Sequence, residues 1–216
     1  MKTALLAGHT PARSQSWREE LLATGEWDVL GPVQSFASAR VLMHRHDPHL
    51  LISDLRLIDG TVLDMIRVLR VGVSPLRAQV LVVAHGEDRL LLDALQEGAD
   101  SFYDAQDLRS EPLHSHARDT LDGGADITPW IASRLLDHFE ADRRSVAVSP
   151  LDEMISPLAL GHEDLLLLRR LAIGRRVADI ARYESVSPRA ISARVRAIYR
   201  KMQWDLRAGS LSLQAA

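Results

Sequence analysis

The sequence contains no cysteine, so neither disulfides nor thiolate metal sites contribute to its fold or chemistry, and nothing points to an oxidising compartment. Aromatic residues are also scarce, with four Trp, three Tyr and three Phe. Of Trp17, Trp27, Trp130 and Trp204 only the last lies in the basic tail, so the four are read as packing or interface residues rather than base-stacking platforms. Long apolar runs are missing as well. Residues 1–7 are too short a stretch for a signal peptide, and the leucine run 165–168 is closed by Arg169 and Arg170. No segment is expected to cross or bind a membrane, and the expected location is the cytoplasm.

What is present suffices for a packed core: 216 residues, 46% hydrophobic and 25% charged. The net charge of -3 conceals an asymmetry. From Leu158 onward there are eleven Lys or Arg against five Asp or Glu, a balance of +6, which leaves -9 for the first 157 residues. A basic segment on an acidic body is the electrostatic footprint of a nucleic-acid-binding module joined to a different kind of domain.

Along residues 1–105, short apolar runs alternate with amphipathic stretches, the rhythm of βα units and a parallel sheet. Strands are expected at 3–7, 27–33, 50–53, 79–83 and 101–103, and helices at 14–24, 35–46, 60–73 and 87–97. A further helix is expected at 111–121. Another starts at Thr128, an N-cap followed by Pro129, and should end near Phe139. Residues 140–157 mix charges, small residues and two prolines without a period, the pattern of a linker. The expected organisation is an α/β domain over 1–121, a helix and interdomain linker over 122–157, and an all-α domain over 158–216.

The tail reads as three helices. The first, 163–173, is rich in leucine and stops at Gly174; the second covers 177–183; the third starts at Ser187-Pro188, a serine N-cap before a proline at the first helical position, and runs to about Met202. Turning the third helix at about 100° per residue places Ile191, Val195, Ile198 and Met202 on a packed stripe and Arg189, Ala193, Arg196 and Arg200 opposite it. Ser192 and Ala197 flank that face. Arginines interleaved with small residues suit the major groove of duplex DNA, where arginine bonds guanine bidentately and alanine permits close approach. Base contacts are therefore expected from Arg189, Ser192, Ala193 and Arg196, and phosphate contacts from the Ser187 end of the helix and from Arg194, Arg200 and Lys201. A basic helix face is also what a solvated bundle presents; the order of short helix, tight turn and capped helix favours the helix-turn-helix.

The segment LLLLRRLAIGRRVADIARYESVSPRAISARVRAIYRKM resembles the LuxR-type helix-turn-helix family over roughly forty residues. It departs from that pattern at Glu184, where the family usually has leucine, and at Ala190-Ile191, which replaces Thr-Val and removes a hydroxyl. LISDLRLIDGTVLDMIRVLR, with Asp54 at the end of the third strand, and VLVVAHGEDRLLLDALQEGADSFY resemble a response-regulator receiver. Together these segments resemble the NarL/FixJ class. The resemblance implies a flavodoxin-like, doubly wound parallel sheet followed by the helix-turn-helix, a phosphoacceptor at Asp54, and a homodimer on duplex DNA that controls transcription, with RNA polymerase or a regulatory protein as a further partner.

The receiver's helper residues are largely missing. Phosphoryl transfer to a carboxylate needs Mg²⁺ held by further acids. The family's two acids after the first strand are Gly8 and His9 here, its hydroxyl residue after the fourth strand is Ala84, and its lysine after the fifth is Ala105. Asp54 is thus expected to be vestigial, either a loop carboxylate that bonds neighbouring N–H groups or one paired with His9 or His85 in place of the missing cations. No metal or cofactor is expected, since His44 and His46, two apart on a helix, diverge, and His49, His114 and His116 read as surface residues. An enzyme is not expected either: an aspartate-nucleophile phosphatase needs a second acid two residues on, where Arg56 stands. Two alternatives remain open at this point, an interaction adaptor whose tail no longer reads DNA and a regulator still switched by phosphorylation of Asp54.

Overall fold

The computed structural model describes residues 1–70, 77–84, 87–106, 111–145 and 160–214. The chain divides into two compact units, Met1–Ala125 and Asp126–Ala216.

In the first unit β1 (Lys2–Ala7), α1 (Pro11–Ala23), β2 (Trp27–Val33), α2 (Phe36–His46) and β3 (Leu50–Asp54) follow one another as the alternating apolar pattern predicts. A two-residue antiparallel hairpin, β4 (Arg56–Leu57) and β5 (Gly60–Thr61), leads into α3 (Val62–Arg70). Then come β6 (Gln79–Ala84), α4 (Arg89–Glu97), β7 (Ser101–Asp104) and α5 (Leu113–Leu121). All pairings in the main sheet are parallel and the strand order is β2-β1-β3-β6-β7, the flavodoxin-like order.

The central strands are apolar on both faces because helices cover both. Alternate residues Ala4, Leu6, Leu50, Ile52, Leu81 and Val83 form one core with Trp17 and Leu21 of α1 and Leu113 and Ala117 of α5. Leu5, Leu51, Val80 and Val82, pointing the opposite way by the two-residue period of a strand, are equally buried beneath α2, α3 and α4. Each such side chain removed from water contributes about 1.5–3 kcal/mol. In a sheet of this order the crevice lies at the carboxyl ends of the strands where the order reverses, here between β1 and β3. Gly8, His9 and Asp54 stand there.

The second unit contains α6 (Pro129–Ser145), α7 (His162–Ala172), α8 (Val177–Glu184) and α9 (Pro188–Gln214). The unit boundary, between Ala125 and Asp126, departs from the expected divisions at 121 and 157. Ile131, Leu135 and Phe139, spaced four apart, form a buried stripe on α6, and this helix packs on α7. The helix expected to join the domains is therefore part of the second one. It runs past Phe139 because residues 140–145 contain neither glycine nor proline. Residues 146–159 of the expected linker lie outside the described residues.

Thr128 caps α6, its hydroxyl accepting from the Ile131 N–H at 3.3 Å. At the end of α7, Gly174 adopts a left-handed φ of 84°, with its N–H donating to the Leu171 carbonyl and that of Arg175 to the Arg170 carbonyl, a Schellman stop. Ser187 caps α9, accepting from Ala190 N–H at 3.2 Å. This last helix continues well beyond Met202, since nothing but Gly209 interrupts residues 203–214.

Candidate nucleic-acid interface and receiver pocket

The pocket is organised around Asp54. Its side chain is 6% exposed, and its charge is met by a cation not anticipated from the sequence: Arg13, in the first turn of α1, whose Nη2 lies 2.9 Å from both carboxylate oxygens. Side chains on a helix lean toward its N-terminus, so an arginine in that turn reaches the end of the sheet. The Arg13 guanidinium also lies 5.5 Å from the centre of the Trp17 ring, an apolar surface that restricts where it can go. His9 takes part through its backbone N–H, which donates to Asp54 Oδ2 at 2.8 Å. Its imidazole is exposed. The expectation that a histidine ring replaces the missing cation is therefore corrected for His9, and His85 lies outside the described residues.

Mg²⁺ does not fit these residues. Gly8 has no ligand to offer, and a Cβ placed there would stand 2.8 Å from Ser14 Cβ and 3.3 Å from Trp17. An acid at position 8 is thus blocked by α1 itself. Ser14, fully buried, is held in place by its hydroxyl donating to the Thr10 carbonyl at 3.0 Å. At the far side of the crevice Ala84 and Ala105 are joined by a backbone hydrogen bond, Ala105 N–H to Ala84 carbonyl at 3.2 Å, and their methyls can neither bond a phosphoryl oxygen nor neutralise it. Nearby, Arg56 pairs with Asp88, the residue that caps α4 by accepting from Leu90 N–H. The guanidinium of Arg56 lowers the Asp88 carboxyl below its ordinary range, the charge-assisted hydrogen bond being the largest cause. Among the described residues no cluster of three or more His, Asp or Glu side chains forms a metal-binding group.

In the second unit, Ile191, Val195, Ile198 and Met202 are fully buried, the stripe that the spacing predicts. Arg189, Ala193, Ala197 and Arg200 are exposed and fall within an arc of about 80° at about 100° per residue. Ser192 is half-buried beside that arc. Arg196 is not on it. At 2% exposure it belongs to the covered side of α9, and its assignment to base edges is corrected. The reason is a neighbour invisible to the helical wheel: Tyr199, one turn along from Arg196 and fully buried, donates its hydroxyl to the Asp126 carbonyl at 2.6 Å. The chain entering α6 thus lies over this side of the helix and widens the covered arc. Burial raises the Tyr199 hydroxyl well above the ordinary tyrosine value, with the Asp126 charge adding to that and Arg196 opposing it.

Two expected phosphate contacts are committed elsewhere. Arg194 Nη1 lies 2.6 Å from Glu184 Oε2, and its Nη2 donates to the Glu163 carbonyl at 3.0 Å. Lys201 Nζ lies 2.7 Å from Asp164 Oδ2. Arg200 remains exposed, as do Arg182 and Tyr183 on α8, the Ser185–Ser187 turn, and Trp204 farther along α9. Ser185 takes the left-handed conformation, φ 56°, turning the chain sharply from α8 into α9. Trp204 is 64% exposed rather than packed.

These two sites, a receiver-type crevice and a helix-turn-helix, agree with what the chain is similar to. The protein named "Probable transcriptional regulatory protein NarL" of Mycobacterium tuberculosis is 26% identical over 194 residues, 89% of this chain and 83% of that protein. The chain is thus similar, over most of its length, to a regulator of the NarL type. Its fold is that of solved response regulators. RcsB of Salmonella enterica serovar Typhimurium, bound to promoter P1flhDC with the phosphomimetic BeF3-, superposes with a TM-score of 0.52 at 19% identity over 94% of this chain and 92% of that one. The signal receiver domain of the Mycobacterium tuberculosis NarL superposes with a TM-score of 0.51 at 23% identity over 56% of this chain and 97% of that one. No family model matches the chain. The sheet order and the position of Asp54 at the end of β3 are those of a receiver fold, whereas Arg13 meets the Asp54 carboxylate here.

Proposed function

We propose that this regulator binds duplex DNA sequence-specifically as a cytoplasmic homodimer, controls transcription rather than catalysing a reaction, and does so without phosphorylation of Asp54. The receiver-like unit comprises residues up to about 125, and the reading head is α7 to α9. DNA binding rests on one observation above the others, the exposed arc of Arg189, Ala193, Ala197 and Arg200 on a helix entered through a tight turn. Arg189, Ser192 and Ala193 are the residues for base edges; Arg200 and the Ser187 end of α9 meet phosphates. The RcsB relatives in fold, solved on promoter DNA and in one case as two dimers on two parallel DNAs, support both the DNA and the dimer. Independence from phosphorylation rests on the Arg13–Asp54 pair, which engages both carboxylate oxygens, one of which would have to attack phosphorus. Selection of bound duplexes from a random-sequence library with the full chain tests the reading. A recovered motif with two half-sites is expected; recovery of no sequence preference overturns it.

A further inference from the structure

Glu184 departs from the leucine expected in the LuxR-type pattern, and the structure gives it two cationic partners. It is the last residue of α8, its side chain only 19% exposed, and each of its carboxylate oxygens holds a different arginine. Arg170 Nη1 of α7 lies 2.7 Å from Oε1, and Arg194 Nη1 of α9 lies 2.6 Å from Oε2. Arg170 is further confined by the Tyr183 ring, 4.7 Å from its guanidinium carbon. One carboxylate therefore joins three helices beside the turn into α9.

An oxygen pair receiving one guanidinium on each side is what a DNA phosphate would offer these arginines. We propose that Glu184 acts as an internal substitute for phosphate: it keeps Arg170 and Arg194 off the DNA backbone and so sets how strongly the reading head holds arbitrary sequence. The inference rests on the DNA-binding reading above. Bonds to the backbone carry affinity without sequence information. Two arginines withheld from phosphates lower non-specific binding, while Arg189, Ser192 and Ala193 still read bases, so discrimination rises. Glu184 is a positioning residue, touching no DNA itself.

The test measures affinity of the full chain against salt for two probes, the duplex selected by the wild-type chain and a scrambled duplex of the same length. In Glu184→Gln both arginines lose their counter-charge while the side-chain shape is kept. The expected result is several-fold tighter binding to the scrambled duplex, a plot of log affinity against log salt steeper by about 0.9 for each additional phosphate neutralised, and a smaller ratio between the two probes. An unchanged slope with unchanged affinity for the scrambled duplex overturns the proposal. If Glu184→Gln does not fold, Arg194→Gln decides: an unchanged wild-type slope supports the withheld arginine, and a slope shallower by about 0.9 places Arg194 on a phosphate and overturns it. Failure of the wild-type chain to bind either probe would instead count against the DNA-binding reading itself.

Discussion

The Tyr199 hydroxyl donates to the Asp126 carbonyl at 2.6 Å, a hydrogen bond spanning 73 residues that fixes the start of the second unit against the helix proposed to read DNA. Tyr199→Phe keeps the ring in place but removes that hydrogen bond, and a loss of about 1–2 kcal/mol in unfolding free energy is expected. The pH dependence has a definite sign. Because the folded-state value lies above the unfolded one, the stabilisation is complete below the ordinary tyrosine value of 10.0 and declines as pH rises beyond it toward the folded value. Denaturant titrations at neutral pH and above pH 10 should show a steeper alkaline loss for the wild type than for Tyr199→Phe.

Arg189 and Arg196, seven residues apart on α9, should behave oppositely. Arg189→Ala is expected to leave the melting temperature unchanged and to cost specific DNA binding about 1–3 kcal/mol, with sequence choice relaxed at one position. Arg196→Ala, at a 2% exposed position, is expected to lower thermal stability and to leave the selected motif the same. Melting curves paired with library selection separate the two, and a changed motif in Arg196→Ala would return that residue to the groove.

The Arg13–Asp54 pair should keep the aspartate from reacting. Incubation of the full chain with a small phosphodonor and Mg²⁺, followed by intact mass measurement, is expected to give no phosphoryl adduct. A stoichiometric adduct that disappears in Asp54→Ala would show that the pair opens. Removing either partner leaves a charge in a mostly covered site, and each of Arg13→Ala and Asp54→Ala is expected to lower stability by about 1–3 kcal/mol, less than the roughly 3–5 kcal/mol of fully buried pairs because Arg13 is 32% exposed.

Restoring an acid in the pocket should fail on steric grounds. A Cβ at position 8 meets Ser14 Cβ at 2.8 Å, and Ser14 belongs to a helix that cannot withdraw without disturbing the Trp17 core. Gly8→Ala alone is expected to cost about 1–3 kcal/mol, and Gly8→Asp to destabilise without conferring Mg²⁺ affinity. Calorimetric titration with Mg²⁺ and thermal melting check both.

The sequence by itself determined the elements that depend on local pattern. Strand and helix alternation, the Gly174 stop, the Ser187 cap and the packed stripe of Ile191, Val195, Ile198 and Met202 all follow from periods of two or 3.6 residues and from backbone chemistry at helix ends. It also showed which receiver residues are missing, since absence needs no geometry. What replaced them was decided by the fold: Arg13 and Asp54 are 41 residues apart and meet only because β1 and β3 are neighbours at the point where the strand order reverses. The inward turn of Arg196 has the same origin. A helical wheel records direction about one axis but not which sides a distant segment covers, and here Tyr199 binds the chain at Asp126. Glu184, with Arg170 fourteen residues before it and Arg194 ten after, is the third case, in which Arg194, expected at a phosphate, instead shares one carboxylate with Arg170 once three helices converge.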